Sequence, residues 1–271
     1  MSRTRLTSHG FIALAVIGVC LVSAFAQDAP APAPAPAPAR FLDGFDAHLA
    51  LSAGELTMAG VPVRGATLDA TVARGTLTIR DARVDDVAGV SGRVRGTLAG
   101  ILPLQGADLT VTARADSLAA AARLLPWPAA APAPERLGPV ALDGRLTGDA
   151  AALGVEVVLK AAGGTLQAGG VVRNAVHTPP GQMPDSALTV RVTHPDLSAL
   201  APLVTDGAVA LGGALDLYTD MTAAGAAVTL NNIQGHALDT AVAGRVEVAL
   251  DGERPRVEAA LQTGGLDLER L

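Results

Sequence analysis

The sequence predicts a mostly β protein: an elongated, curved antiparallel sheet, built as a repeating β-groove, with a few short helices. Three observations carry this. Apolar residues alternate with polar ones at a period of two, which gives a strand one apolar and one wet face. Glycines recur at short, fairly even spacing, as between the strands of a meander. Segments resembling one another return about every 76 residues, the mark of a repeat architecture. The composition agrees. The 271 residues are 49% hydrophobic but only 2% aromatic. A core packed from Leu, Val and Ala suits a thin layer better than a deep globule.

The chain divides into three parts. Residues 1–26 read as a signal peptide or an N-terminal membrane anchor. Arg3 and Arg5 precede an uncharged apolar run from Phe11 to Ala26, and Ala24-Phe25-Ala26 fits a small-x-small cleavage site. The run is 16 residues long, short of the ~20 that span a bilayer. A cleaved signal and a retained anchor therefore both remain open. Cys20, the only cysteine, reads as part of this apolar run rather than as a lipidation site, and it excludes a disulfide scaffold. Residues 27–40 form a Pro/Ala-rich linker, extended because each Pro disfavours helix in the residue before it.

Residues 41–271 carry the repeat. Ser91-Gly92-Arg93-Val94 aligns with Ala168-Gly169-Gly170-Val171 and with Ala243-Gly244-Arg245-Val246, so that Gly92, Gly169 and Gly244 stand 77 and 75 residues apart. Leu109-Thr110-Val111-Thr112 aligns with Leu188-Thr189-Val190-Arg191, and more weakly with Val257-Glu258-Ala259-Ala260-Leu261. Gly138-Pro139-Val140-Ala141-Leu142-Asp143-Gly144 aligns with Ala208-Val209-Ala210-Leu211-Gly212-Gly213. Within the repeats Val140, Leu142 and Leu146 alternate with polar residues. So do Val155, Val157 and Leu159, and Val246, Val248 and Leu250. These nine side chains are the predicted lining of the apolar face. Gly60, Gly65, Gly75, Gly89, Gly144, Gly148 and Gly163 are the predicted strand boundaries. Two helices are expected: Ser117 to Leu125 after an Asp116 cap, and Pro195 to Leu203. The last copy ends early, which suggests a truncated member of a longer repeat class or a natural terminal cap.

Catalytic and metal chemistry find little support. The histidines are scattered without zinc spacing, and neither a Gly-x-Ser-x-Gly nor a phosphate-binding loop occurs. His194-Pro195-Asp196 is better explained as strand-to-helix chemistry than as a catalytic pair. Asp81, Asp85 and Asp86 read as solvated turn charge rather than a cation site. Trp127, flanked by Pro126 and Pro128, is a loop aromatic at a surface or plugging a core. A net charge of −6 with a single lysine, Lys160, excludes nucleic acid as a partner. The expectation is a non-enzyme with no cofactor and no metal.

The phrases Phe45-Asp46-Ala47-His48-Leu49-Ala50-Leu51-Ser52-Ala53-Gly54-Glu55-Leu56-Thr57, Leu142-Asp143-Gly144-Arg145-Leu146-Thr147-Gly148 and Gly163-Gly164-Thr165-Leu166 resemble the C-terminal β-groove region of AsmA-like proteins. The resemblance covers about residues 41–271. It implies a periplasm-facing, inner-membrane-associated envelope protein, linked to phospholipid movement or outer-membrane assembly. Its implied partners are phospholipid or membrane, and other envelope proteins. It brings no catalytic residue. This chain is much shorter than a groove bridging two membranes, and it has a Pro-Ala spacer where a further domain is expected. The expected function is acyl-chain binding in an apolar β-groove. The alternatives are a structural or adaptor module that pairs its edge with another envelope protein, and a nonfunctional fragment.

Overall fold

The computed structural model describes residues 46–58, 61–100, 105–117, 119, 138–174, 182–200, 212–238, 240–250 and 256–264. Thirteen strands form one antiparallel sheet in which every strand pairs with its sequence neighbours. They are β1 (Ala47–Met58), β2 (Val61–Ala73), β3 (Thr76–Val87), β4 (Val90–Leu98), β5 (Ala107–Ala115), β6 (Val140–Gly148) and β7 (Ala152–Ala161). The series continues with β8 (Gly164–Arg173), β9 (Met183–His194), β10 (Leu215–Gly225), β11 (Ala227–Ala237), β12 (Thr240–Ala249) and β13 (Arg256–Thr263). Among the described residues the sheet is open and curved, with β1 and β13 as its edges. Calling a signal or anchor at 1–26 and a linker at 27–40 concerns residues outside those described, as does the aromatic Trp127.

Local chemistry explains the meander. The β2–β3, β3–β4 and β7–β8 connections are two-residue turns at Arg74-Gly75, Ala88-Gly89 and Ala162-Gly163. Their φ values are 49° and 76°, 51° and 82°, and 51° and 79°. Positive φ at both central residues is the primed turn, whose twist matches that of the flanking strands. Glycine at the second position removes half of the steric penalty. The Asp86 carboxylate accepts a hydrogen bond from the Gly89 N–H at 2.7 Å, closing the second of these turns.

Pairing puts the alternation into register. One transverse row crosses the whole sheet: Leu49, Ala70, Ile79, Gly96, Leu109, Leu146, Val155, Gly170, Leu188, Met221, Leu230, Val246 and Ala259. No member is polar. Directly opposed residues share a face, so this row defines an apolar side from edge to edge. The next rows hold, among others, Val94, Val111 and Val157 above it and Val172, Ala223 and Val248 below it. The opposite side is polar: Arg95, Thr110, Arg145, Glu156, Gly169 and Thr189 form one of its rows.

The sequence repeat corresponds to every fourth strand. Its first segments lie on β4, β8 and β12 and its second on β5, β9 and β13. The alignment through Gly92, Gly169 and Gly244 is corrected. Gly169 lies on the polar side, opposite Glu156 and Thr189, whereas Gly244 lies on the apolar side, opposite Ile233 and Leu261. The equivalent glycines are Gly96, Gly170 and Gly244, with φ of 135°, 154° and 154°. A Cβ on Gly170 would stand 2.1 Å from the Ala187 carbonyl oxygen and 2.8 Å from Leu188 Cα. Gly96 meets Asp108 and Leu109 in the same way, and Gly244 meets Ala260 and Leu261. Only glycine combines that backbone with so close a neighbour, and such glycine kinks are a device for bending sheets. Register shifts in the β2–β3, β3–β4, β10–β11 and β11–β12 pairs add local bends.

Other expectations are also revised. Gly65 and Gly144 lie inside β2 and β6, not at strand boundaries. Gly60 lies outside the described residues. Of the helix expected from Pro195 to Leu203, the described part is a 3-10 turn, Leu197–Leu200, and residues 201–203 lie outside the described residues. Most of the helix expected over Ser117 to Leu125 falls outside the described residues. Val209 and Ala210, aligned with Val140 and Ala141, also fall there, and β10 begins only at Leu215.

Two glycines separate close approach from mere exposure. Gly170→Ala should lower the unfolding free energy by about 1–3 kcal/mol, the usual cost of a strained backbone position. Gly54→Ala, where a Cβ meets nothing within 4 Å, should be neutral or mildly stabilising. Urea unfolding of both variants beside the parent checks this; equal loss in both would remove the close-approach argument.

Candidate functional site: an apolar face across one sheet

The candidate site is the apolar side of the sheet. Eight of the nine predicted lining residues lie on β6, β7 and β12 with the parity of the row described above. Leu146 faces Val155, Leu142 faces Leu159, and Val157 faces Gly144. Val140 pairs with Ala115, while Val246 and Val248 pair with Leu230 and Val228. Leu250 differs. It lies just past the end of β12, is 39% exposed, and its N–H donates to the Ala226 carbonyl at 2.7 Å.

Burial along this face is uneven. Val155 and Val172 are only 2% exposed. A continuous cluster joins Ala115 and Val140 to Leu159, Leu166, Val190, Met221, Val228, Ile233, Val246 and Val248. Sequence reasoning missed the β8–β11 share of this cluster. Alternation was there to find, in Leu215, Leu217, Met221 and Ala223, but Thr219 interrupts it. Thr219 is buried, and its hydroxyl donates to the Asn231 carbonyl at 2.8 Å, so it costs the face little. Toward the edges the face opens. Leu49 is 40% exposed, Leu51 62% and Leu261 52%.

The polar side is an array of arginine–aspartate pairs. Arg145 donates from Nε and Nη2 to the two carboxylate oxygens of Asp108 at 3.0 and 3.1 Å. Arg191 does the same to Asp216 at 2.9 and 2.7 Å. Arg93 and Arg95 both donate to Asp81. These hydrogen bonds, followed by the attraction of the guanidinium charges, hold the Asp81, Asp108 and Asp216 carboxyls below their ordinary value and raise Arg93, Arg145 and Arg191. Asp81, Asp85 and Asp86 therefore lie on strand β3, not on a turn, and each has an arginine beside it: Arg93 and Arg95, Arg83, and Arg64 respectively. Among the described residues no group of three or more His, Cys, Asp or Glu side chains is placed to hold a metal.

His194 and Asp196 are brought together, but as a structural latch. His194 is 3% exposed at the end of β9, on the apolar side, opposite Leu215. Its Nε2 lies 2.8 Å from the Ala162 carbonyl oxygen, and the Asp196 N–H donates to Nδ1 at 3.1 Å. One nitrogen thus donates and the other accepts, which is the neutral ring protonated at Nε2. The Asp196 carboxylate accepts from the Ser198 hydroxyl and N–H at 2.7 and 2.9 Å, and those bonds, the hydroxyl's first, hold it below its ordinary value. Neither ring nitrogen is left to act on a substrate. The ring also explains the glycine that opens β8, because a Cβ on Gly164 would stand 2.7 Å from His194 Cδ2.

No family model, curated protein or solved structure matches the chain. No helix among the described residues is long and apolar enough to cross a membrane.

Two outcomes follow. His194→Ala removes the partner of the Ala162 carbonyl and of the Asp196 N–H and empties the space of a ring that is 3% exposed, and should destabilise the fold by about 1–3 kcal/mol in all. A wild-type midpoint in urea would show that water replaces the ring at no cost. For the aspartates, the folded values lie below the unfolded one near 3.8. Their stabilisation is therefore complete above that value and is lost as pH falls through the lowered folded values. Urea midpoints should be level from about pH 7 to about pH 5 and fall below about pH 4, with a shallower fall in high salt because the pairs are exposed.

Proposed function

We propose that this chain is a non-enzymatic cell-envelope protein of AsmA-like type that binds lipid acyl chains on the apolar face of its curved sheet. It supports phospholipid transport or outer-membrane assembly from the periplasmic side, associated with the inner membrane and directed there by an N-terminal segment that is a cleaved signal peptide or an anchor. The observation that carries the reading is the transverse row, apolar on all thirteen strands while the opposite face is studded with arginines and aspartates. Twelve inter-strand steps of ~4.8 Å make that path about 58 Å long. A long, thin, wholly apolar strip on a sheet with a charged back suits a flexible hydrocarbon better than a compact polar substrate, whose orientation needs placed polar groups.

A second reading is favoured by the exposed edges. Leu49, Leu51 and Leu261 leave β1 and β13 open to another strand, as an adaptor that pairs with an envelope protein requires.

Lipid extraction and mass spectrometry of protein purified from the envelope fraction separates the two. Val157→Asp and Val248→Asp place a carboxylate on the apolar face. Val158→Asp places the same charge on the other side of β7, opposite Asp143 and Gln167. Phospholipid bound by the parent and by Val158→Asp, and lost from Val157→Asp, supports the groove. Because Val248 is buried, its variant is interpreted only with a parent-like urea midpoint. No lipid on the parent overturns the groove, and the adaptor reading takes its place.

A further inference from the structure

We infer that β1 is a self-pairing edge, and that two copies of this chain join β1 to β1 about a two-fold axis into one continuous sheet.

The physical basis is what β1 lacks. Exposed sheet edges are normally guarded against pairing by charge, proline or a short strand. β1 is twelve residues long and contains neither proline nor lysine. Its only ionisable side chains, His48 and Glu55, are exposed but already paired with β2: His48 Nε2 lies 3.0 Å from Asp69, and Glu55 lies 3.7 Å from Arg64. The stretch from Leu49 to Gly54 carries no charge, while Leu49 and Leu51 stand 40% and 62% exposed. Edge β13 differs. It is eight residues long, carries Arg256 and Glu258, and already opposes Glu258 to Glu247 across its one partnered side.

A second copy fits this edge by register. Centred on Ala50, an antiparallel self-pair sets Leu49 against Leu51, His48 against Ser52 and Ala47 against Ala53. No like charges face one another, which is the condition for a favourable cross-strand ladder. A two-fold axis normal to the sheet keeps both apolar faces on one side. The Leu49 and Leu51 rows then run from one copy into the next, and the leucines leave water. The pairing does not depend on whether the face holds lipid.

The test uses the full chain with Cys20→Ser, so that an introduced cysteine is alone. Self-pairing brings Ala50 opposite its own copy at a Cα separation of about 4.5–5.5 Å, within the reach of a disulfide. Ala50→Cys should give a covalent dimer under mild oxidation, and Ala260→Cys on β13 should not. Adding Leu51→Lys should cut the Ala50→Cys cross-linking rate roughly tenfold or more, the effect of about 1.4 kcal/mol per dimer. Leu51 is exposed, so a parent-like urea midpoint is expected and shows that the variant folds. Sedimentation equilibrium should show the parent dimerising with concentration and Leu51→Lys remaining monomeric. A monomeric parent, cross-linking through Ala260→Cys instead, or a dimer indifferent to Leu51→Lys would each overturn the assignment.

Discussion

A single layer of thirteen strands must keep one apolar face out of water without a second sheet of its own among the described residues. Everything else in the structure answers to that. In a sandwich, the facing sheet supplies the cover, and strands can stay regular. Here strands must come unusually close at fixed points. Gly170 does so on β8, where its missing Cβ leaves room for the Ala187 carbonyl and Leu188 Cα. The same contact recurs at Gly96 on β4, Gly235 on β11 and Gly244 on β12, so the bends are spread along the sheet rather than confined to one point. The register shifts at β2–β3, β3–β4, β10–β11 and β11–β12 serve the same end by a second route, since a bulge increases twist and bends the strand that carries it.

The polar face solves a different problem. The side of the sheet away from the apolar row must stay soluble without a covering layer. Bidentate arginine–aspartate pairs such as Arg145–Asp108 and Arg191–Asp216 cover strand pairs with groups that remain solvated, because more than half of each side chain stays exposed. Exposed pairs of this kind add little to stability. They keep that side hydrated, and they tie β5 to β6 and β9 to β10 in one register. A slip of one residue would send every apolar side chain to the charged side.

The sequence showed the strands plainly and the bends hardly at all. Val155, Val157 and Leu159 announce their face because each alternates with a polar neighbour, and their partners Leu146 and Leu142 do the same. Gly144 was misread as a boundary because turn and strand glycines look alike in one dimension; what distinguishes it is its pairing with Val157. The repeat is legible in the sequence but its glycine marker is not: Gly92 stands four residues before Gly96, and Gly169-Gly170 offers two candidates between which only the carbonyl of the next strand selects. His194 showed least. A histidine before Pro195 and Asp196 reads as the end of a strand and no more, whereas its role is set by the Ala162 carbonyl, 32 residues earlier. Such contacts leave no local signature.

Burial also constrains how this face can hold anything. Hydrophobic gain comes from apolar area that leaves water on binding. Around Val155 and Val172 almost no such area remains, so a guest there would exchange one set of apolar contacts for another and gain little. The gain lies with side chains that are still wet. Those are Leu49 and Leu51 at one edge, Val257 and Leu261 at the other, and half-buried members of the face such as Leu142, Leu146 and Val157. The central cluster is therefore the sheet's own core, while the capacity for partners sits around it. A substitution at Val155 and one at Val157 are two residues apart on the same face of one strand, yet the first addresses the fold and the second addresses what the fold can bind.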